Sequence, residues 1–283
     1  MIRSLAYFPL QAALNSGPVM DAILDSCTAA GIKTEENSMD SDAAVIWSVL
    51  WHGRMAPNQQ VYQHYRSQGK PVIVIEIGAL YRGQTWKVAV NHINAEGYYG
   101  HQENLDPDRP KKLQISLATL LSPQPYVVIA AQHRKSMLVQ HMGHMEQWVY
   151  DQVRATKSVT DRPIVVRPHP RCRLDLQQLD PNIKIQTPVK LDNTYDSFDL
   201  QYNCHAVINY NSGPGIQAAI SGCRPVVDET SLAYPVSIRI EDIEKPYDID
   251  RRQWLIELCH TEYTISELTT GLWLKRLEPA LQR

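Results

Sequence analysis

The hydrophobic and polar positions of this chain alternate between short apolar runs and amphipathic segments. Runs rich in Val, Ile and Ala predict buried strands, and apolar residues spaced three or four apart between those runs predict helices. The predicted strands are residues 5–10, 43–50, 72–77, 126–131, 164–167, 183–186, 206–209 and 225–227. The predicted helices are residues 19–30, 58–68, 142–155, 195–202, 215–221 and 268–277, the last preceded by a capping box of Thr264 and Glu267. Strands that alternate with helices of this length predict an α/β fold with parallel sheets covered on both faces.

The chain is long enough for two domains, because 283 residues can form two separate cores. Ser122-Pro-Gln-Pro125 is the predicted linker. We therefore expect an N-terminal domain over residues 1–122 and a C-terminal domain over 126–283, with the last helix packing back on the N-terminal domain. Residues 83–94 and 97–110 are expected to form an irregular loop or insertion, which in a compact domain is often functional.

Composition indicates an ordinary soluble globular protein. Hydrophobic residues make up 43% and charged residues 20% of the chain. No run is long enough to cross a membrane, and Pro9 and Gln11 interrupt the N-terminus before a signal peptide could form, so we expect a cytoplasmic protein. The net charge of −2 provides no global field that would attract nucleic acid. Five cysteines without a C-x-x-C spacing predict reduced, mostly buried thiols.

Two predicted strands end abruptly in residues suited to binding an anion. These residues are Arg167, His169 and Arg171 after one strand, and Asn211, Ser212, Gly213 and Gly215 after the other. Open α/β sheets bind ligands at the carboxyl ends of their strands, and a helix N-terminus that follows a glycine-containing turn binds phosphate. We therefore expect a phosphorylated ligand. The alternatives are that Arg167 pairs with a carboxylate while His169 caps a loop, and that the glycine turn binds nothing.

Three further polar residues follow or end predicted strands. Gln132 is expected to extend the phosphate site, with a plain loop as the alternative. Glu229 is expected to hold a ribose hydroxyl pair, as acidic residues do in other nucleotide sites, or to cap the next segment. Glu76 lies at the end of a strand in the N-terminal half, where a carboxylate would act on an acceptor hydroxyl or serve structure alone.

Three motifs of the C-terminal half occur together: Arg167-Pro-His-Pro, the Ser212-Gly turn followed by Ile216-Gln, and Gly222-Cys-Arg-Pro-Val. Over residues 126–235 they resemble the donor-binding half of GT-B glycosyltransferases and of UDP-N-acetylglucosamine 2-epimerases. The resemblance implies a GT-B-like fold of two Rossmann-type, doubly wound domains facing a cleft, with C-terminal helices. It also implies nucleotide-phosphate contacts from His169, Ser212 and Gly213. The chain departs from the epimerase pattern at Pro214 and at Ala218-Ala219, where the epimerases carry acidic residues.

The segment Ile75-Glu-Ile-Gly78 accompanies the His-Pro and Ser motifs. In this combination the chain is similar to bacterial sialyltransferases of GT-B type and to the related Kdo transferases with a His-Pro motif. Those sialyltransferases have an acidic residue followed by glycine in a comparable place. The resemblance implies that Glu76 and His169 are catalytic residues.

The segments Trp47–Arg54 and Tyr81–His92 combine aromatic and basic residues. They resemble bacteriophage DNA glycosyltransferases, which act on hydroxymethylated pyrimidines. This implies 5-hydroxymethylcytosine in double-stranded phage DNA as the acceptor, and the host cytoplasm as the location if the chain is phage-encoded. Aromatic side chains can stack a flipped base and cations can contact phosphates, and the implied acceptor-binding residues are Trp51, Arg54, Arg82, Trp86 and Lys87. Core aromatics with solvated charges are the alternative.

These observations predict a glycosyltransferase that moves a sugar from a nucleotide-sugar donor, expected to be UDP-linked, to an acceptor hydroxyl. No D-x-D motif occurs in the elements predicted to line the cleft, so we expect neither a metal ion nor a cofactor besides this co-substrate. The alternatives are a transferase of bacterial surface polysaccharide synthesis, a UDP-sugar 2-epimerase-like enzyme, and a nucleic-acid-binding module without catalytic activity.

Overall fold

A computed structural model describes residues 1–187 and 203–282. The chain forms two compact units, which we call unit 1 (Met1–Arg109 with Glu257–Arg283) and unit 2 (Pro110–Ile256). Both units combine strands with helices, as the sequence predicts. The predicted helix over residues 195–202 lies outside the described residues.

The division between the units differs from the predicted linker at residues 122–126. Residues 110–122 belong to unit 2, because the backbone N–H groups of Ala118 and Leu121 donate to the carbonyls of Ile220 and Gly222 (both 2.9 Å). The C-terminal residues belong to unit 1, where the indole Nε1 of Trp273 donates to Ser26 Oγ (3.0 Å). Unit 1 is therefore built from both ends of the chain.

The strands are Ser4–Tyr7 (β1), Lys33–Glu36 (β2), Ala43–Trp47 (β3), Val72–Ile77 (β4), Trp86–Val90 (β5), Val127–Ala130 (β6), Ile164–Arg167 (β7), Lys184–Ile185 (β8), Ala206–Asn209 (β9), Arg224–Val226 (β10) and Glu262–Tyr263 (β11). The α-helices are Gly17–Ala29 (α1), Asn58–Ser67 (α2), Arg109–Lys112 (α3), Met145–Val159 (α4), Gly213–Ile220 (α5), Arg252–Cys259 (α6), Ile265–Thr269 (α7) and Leu272–Leu281 (α8). Short 3-10 helices cover Pro9–Gln11, Gly53–Met55, Met137–Met142, Tyr234–Val236 and Ile240–Asp242.

The sheet of unit 1 has the order β11-β5-β4-β3-β1-β2. Strands β1 to β4 are parallel, and their order β2-β1-β3-β4 is one of the common doubly wound arrangements. The fully buried strand β3 lies at its centre, because Ala43–Trp47 has no polar residue that would need solvent. Strand β5 runs antiparallel to β4, and β11 runs antiparallel to β5.

The sheet of unit 2 has the order β10-β9-β6-β7-β8, and every pair in it is parallel. Starting from β6, the chain adds β7 and β8 on one side and then β9 and β10 on the other. This is the Rossmann order, in which the direction of strand addition reverses between β6 and β9. Ligands bind beyond the carboxyl ends of the two strands at such a reversal.

Most predicted elements are present, with shifted ends. The capping box is confirmed: Thr264 Oγ1 accepts from Glu267 N, and Glu267 Oε2 accepts from Thr264 N. The helix predicted over 268–277 is instead two helices, α7 and α8, because Gly271 between them adopts a left-handed conformation with φ of +72°. The irregular loop predicted over 83–94 is wrong in part, since it contains β5.

Two compositional expectations can be compared with the structure. All five cysteines are free thiols and buried, as predicted, and burial raises the pKa of Cys27 and of Cys259 to about 12. Among the described helices, none combines the length and apolar character needed to cross a membrane.

Candidate functional site

The candidate phosphate site of unit 2 lies where the strand order reverses. Three loops leave the carboxyl edge of the sheet next to one another: residues 131–133 after β6, 168–171 after β7 and 210–212 after β9. These loops contain five of the predicted donor residues: Gln132, His169, Arg171, Asn211 and Ser212. Two more adjoin them, Arg167 at the end of β7 and Gly213 at the start of α5.

A pair of amide side chains joins the β6 and β9 loops. The backbone N–H of Asn211 donates to Gln132 Oε1 (2.7 Å), and Gln132 Nε2 donates to Asn211 Oδ1 (3.0 Å). Both side chains are buried, so these bonds are shielded from competing water. The sequence predicts both residues separately, and the structure brings them into direct contact across the point of reversal.

Asn209, which the sequence analysis missed, shapes the turn into α5. Its Nδ2 donates to the Ala130 carbonyl (2.8 Å) and to Ser212 Oγ (3.1 Å), while its Oδ1 accepts from Ser212 N (2.8 Å). The Ser212 hydroxyl is therefore turned toward Asn209, and Ser212 makes no side-chain cap on α5. A helix start without a side-chain cap offers its first N–H groups and the positive end of its dipole to an anion.

Gly215 allows α5 to pack closely on the segment that follows β10. A Cβ added at Gly215 would lie 2.6 Å from Val227 Cγ1, so any larger residue must move one of the two elements. This is the helix-packing role that glycine has at nucleotide-binding turns. Close packing of α5 therefore requires a glycine at this position whether or not a ligand approaches the turn.

We expect Gly215→Ala to lower the free energy of unfolding by about 1–3 kcal/mol, because it overpacks this contact. The double variant Gly215→Ala/Val227→Ala should recover most of that loss, since it restores the space. Gly17→Ala is the matched control, because a Cβ there meets nothing within 4 Å. Chemical denaturation measures all three, and equal losses in the single and double variants would contradict the packing explanation.

The end of β7 places a buried guanidinium and an imidazole beside the β6 loop. Arg167 is only 4% exposed; its Nε donates to Gln186 Oε1 (3.1 Å), and its carbonyl accepts from Ala131 N (2.9 Å). The His169 ring meets the His133 ring edge to face at 5.2 Å. The positive charge of Arg167 therefore lies at the same carboxyl edge of the unit 2 sheet as the start of α5.

Backbone contacts fix the tautomer of both imidazoles. His169 Nδ1 accepts from Arg171 N (3.1 Å), and His133 Nδ1 accepts from Lys135 N (3.1 Å). Because each Nδ1 is an acceptor, the neutral ring carries its proton on Nε2. His169 is thus prepared to donate a hydrogen bond from Nε2 without first becoming charged.

The two neighbouring acidic residues after β10 differ in their surroundings. Glu229 is exposed, whereas Asp228 Oδ1 accepts from Thr230 Oγ1 (2.6 Å), which in turn accepts from Asn211 Nδ2 (2.8 Å). Asp228 therefore belongs to the network of the phosphate loops. The contact of Glu229 with a ribose stays a prediction.

A cavity of about 660 Å³ lies beside the ends of β9 and β10. Its lining includes the aromatic residues Trp148, Tyr210 and Tyr234 and the polar residues Asn209 and Asp228. The volume falls within the range of small-molecule sites. Since Asn209 and Tyr210 lead directly into the Asn211–Ser212 loop, a phosphorylated ligand on that loop would have room for a further ring.

Glu76 of unit 1 lies at the end of β4, next to the turn after β3. Glu76 Oε2 accepts from Ser48 Oγ (2.6 Å), and Oε1 accepts from Ile77 N (3.0 Å). Ser48 has a φ of +63°, a left-handed conformation that is unfavourable for a residue with a side chain. This backbone aims the hydroxyl at Glu76, so the half-buried carboxylate is held in one orientation.

The five predicted acceptor-binding residues differ in exposure. Arg54 is exposed, and Arg82 and Trp86 are partly exposed. Trp51 is buried against Tyr62, with 5.9 Å between ring centroids, so it cannot stack a base without a rearrangement. Lys87 is buried inside the sheet, which favours a contact within unit 1 over the predicted contact with a phosphate.

Within residues 1–187 and 203–282, no group of three or more His, Cys, Asp or Glu side chains is placed to hold a metal ion. The expectation that the reaction needs no metal stays a prediction.

No protein-family model matches the sequence, and no curated protein matches it. Solved structures do. The beta Kdo 2,4 transferase KpsC of Thermosulfurimonas dismutans matches with a TM-score of 0.52 and 11% identity, over 92% of this chain and 90% of that chain. The beta Kdo 2,7 transferase KpsC of the same organism matches over 96% and 99% of the chains (TM-score 0.46, 12% identity), and the glycosyltransferase SnogD of Streptomyces nogalater over 97% and 83% (TM-score 0.28, 10% identity). The first match and the two sheets confirm the predicted GT-B-like α/β fold class.

Proposed function

We propose that the protein is a glycosyltransferase that binds a nucleotide-sugar donor through unit 2 and uses Glu76 of unit 1 to act on an acceptor hydroxyl. The observation that carries this proposal is the set of joined loops at the reversal point of the unit 2 sheet. Buried amides, a helix start without a side-chain cap, a buried arginine and an imidazole whose Nδ1 accepts from a backbone N–H lie at these loops.

In the proposed reaction the acceptor oxygen forms a bond to the anomeric carbon of the sugar. The bond from that carbon to the phosphate oxygen breaks, and the nucleotide leaves with the electron pair. Negative charge therefore grows on the phosphate, where Arg167, His169 Nε2–H and the start of α5 would stabilise it. The acceptor hydroxyl gives its proton to the carboxylate of Glu76, which Ser48 orients.

This arrangement supports a reaction without a metal ion. Fixed donors and a guanidinium can supply the electrostatic stabilisation that a metal supplies at other phosphate sites. We propose UDP, a pyrimidine nucleotide, as the nucleotide part of the donor. The aromatic and polar lining of the neighbouring cavity suits a sugar ring, which has apolar faces and hydroxyl edges.

For the acceptor, we propose 5-hydroxymethylcytosine in double-stranded DNA. The support is the likeness of Trp47–Arg54 and Tyr81–His92 to phage DNA glycosyltransferases, together with the accessible side chains of Arg54, Arg82 and Trp86. A bacterial surface glycan is the second candidate. One solved structure of similar fold is a Kdo transferase, so a nucleotide-linked Kdo belongs among the donors that are tested.

The test is an incubation of the full-length protein with nucleotide sugars, including UDP-linked hexoses and nucleotide-linked Kdo. Each donor is combined with hydroxymethylated duplex DNA, unmodified duplex DNA, an oligosaccharide acceptor or no acceptor, and the products are identified by mass spectrometry. We expect the nucleotide to be released and the sugar to appear on hydroxymethylated DNA only.

The other outcomes separate the alternatives. Sugar on the oligosaccharide alone would overturn the DNA acceptor and retain the transferase. A changed nucleotide sugar without any acceptor would indicate an epimerase. DNA that is retained while every donor stays intact would overturn the enzyme proposal in favour of a binding module.

A further inference from the structure

A chain of hydrogen bonds crosses the carboxyl ends of three neighbouring strands in unit 2. It starts at Gln132 after β6, passes through Asn211 after β9 and ends at Asp228 after β10. Thr230 is the link between the last two, because its Oγ1 accepts from Asn211 Nδ2 (2.8 Å) and donates to Asp228 Oδ1 (2.6 Å). The loop that carries the predicted phosphate contacts is therefore joined to the carboxylate of Asp228.

The chemistry of these groups fixes the direction of the chain. A hydroxyl has one proton to donate and a carboxylate only accepts, so the Thr230 proton points at Asp228 and its lone pair receives Asn211 Nδ2. Both amide side chains of the chain, those of Gln132 and Asn211, are buried. A buried donor that loses its acceptor is costly, so the Thr230 hydroxyl helps to hold the Asn211 side chain in one orientation.

Asp228 also lines the cavity of about 660 Å³ beside the ends of β9 and β10. Two hydrogen bonds reach its side chain, from Thr230 Oγ1 and from Thr230 N (3.0 Å), and both end on Oδ1. Within residues 1–187 and 203–282, Oδ2 accepts no hydrogen bond. A carboxylate oxygen is a strong acceptor for hydroxyl groups, and the aromatic residues Trp148 and Tyr234 of the same cavity suit the apolar face of a ring.

We propose that Asp228 selects a hydroxyl-bearing ring attached to the donor phosphates, by accepting hydrogen bonds from its hydroxyls in the cavity. Thr230 is a positioning residue that couples this carboxylate to the phosphate loop. The inference rests on the proposed function. The ring is the ribose of the nucleotide or the transferred sugar, since both carry hydroxyls and are attached to the diphosphate. The negative charge of Asp228 also repels a bare anion, so the cavity favours a phosphate that carries a ring over a phosphate alone.

Calorimetric titration of the full-length protein with three probes tests the role of Asp228 without any turnover. The probes are inorganic pyrophosphate, uridine diphosphate and a UDP-linked hexose. Asp228→Asn keeps an oxygen that accepts from Thr230, but it removes the negative charge and one acceptor. It should weaken binding of the UDP-hexose about tenfold, because a hydrogen bond to a charged group contributes at least this factor. Its affinity for pyrophosphate should stay the same or rise, because a like charge is removed.

The uridine diphosphate probe identifies the ring. A loss of affinity with uridine diphosphate indicates the ribose, and a loss confined to the UDP-hexose indicates the transferred sugar. Asp161→Asn is the matched control, because Asp161 is exposed and precedes β7, at the amino edge of the same sheet. It should leave all three affinities unchanged. If Asp228→Asn binds the UDP-hexose as tightly as Asp161→Asn does, or if it loses as much affinity for pyrophosphate, the role of Asp228 is overturned.

The role of Thr230 is tested with Thr230→Val, which removes the hydroxyl, and Thr230→Ser, which keeps it. Thr230→Val should weaken binding of all three probes about threefold or more, a size typical of coupling within one hydrogen-bond network. Thr230→Ser should retain the unmodified affinities. The double variant Thr230→Val/Asp228→Asn should lose less UDP-hexose affinity than the product of the two single losses, because both changes act on one chain. Equal losses in the valine and serine variants, or a double loss equal to the product, would overturn the coupling.

The same titrations distinguish failure of this inference from failure of the proposed function. An unmodified protein that binds neither uridine diphosphate nor the UDP-hexose would overturn the proposed function, and this inference with it. An unmodified protein that binds both, while Asp228→Asn and Thr230→Val bind all probes equally well, would overturn this inference alone.

Discussion

Replacing Glu76 with glutamine is expected to reduce kcat by about a hundredfold while the donor affinity stays unchanged, because a positioned base contributes at least this factor. Glutamine keeps the size of the side chain and an oxygen that accepts from Ser48 Oγ. The loss of kcat therefore measures the removal of the proton acceptor alone. Initial rates with the donor and acceptor found in the product screen, and calorimetry with the donor alone, measure the two quantities.

Glu36→Gln provides the control for a lost carboxylate on the same sheet and should keep full turnover. A Glu76→Gln protein that turns over at the unmodified rate would contradict the catalytic assignment. A protein that loses donor affinity and turnover in proportion would place Glu76 in binding instead.

Replacing His169 with alanine is expected to weaken donor affinity about tenfold and to lower kcat further. A hydrogen bond to a charged phosphate contributes about 1.5–3 kcal/mol, and its strength grows as charge develops on the leaving group. His169 Nδ1 accepts from Arg171 N, so Nε2 carries the proton for this bond. Calorimetric titration with the nucleotide and initial rates measure the two effects.

His144→Ala is the matched control, because His144 is exposed just before α4 and should affect neither quantity. If His169→Ala binds the nucleotide as tightly as His144→Ala does, His169 is not part of the donor site. The structural alternative, in which His169 only caps its loop, would then explain the hydrogen bond from Arg171 N to His169.

Local sequence patterns predict the central strands well and the edge strands poorly. Strands β3 and β6 are continuous apolar runs, and β4 and β9 are apolar except for Glu76 and Asn209 near their carboxyl ends, so the burial of these strands follows from composition. Strand β2 has the sequence Lys-Thr-Glu-Glu and lies at the sheet edge, where one side needs no partner, so no apolar signal marks it. Strand β5 was not predicted, because it contains Lys87, a residue type that is typical of exposed positions but is buried here between β4 and β11.

The candidate site depends on contacts that a sequence pattern does not contain. The strand ends predict Gln132 and Asn211 individually, but their mutual bonds join residues 79 positions apart. Likewise, Glu262 accepts from Ala79 N across 183 positions. Residue types predicted the kind of chemistry, and the sheet order determined which residues meet.

In the proposed function, the loops of unit 2 bind the donor phosphates. The most direct measurement is a crystal structure of the full-length protein with uridine diphosphate or cytidine diphosphate. We expect phosphate density against Ser212, Gly213 and Gly215 at the start of α5, within hydrogen-bond distance of His169. Ordered nucleotide bound elsewhere, with these loops empty, would contradict it.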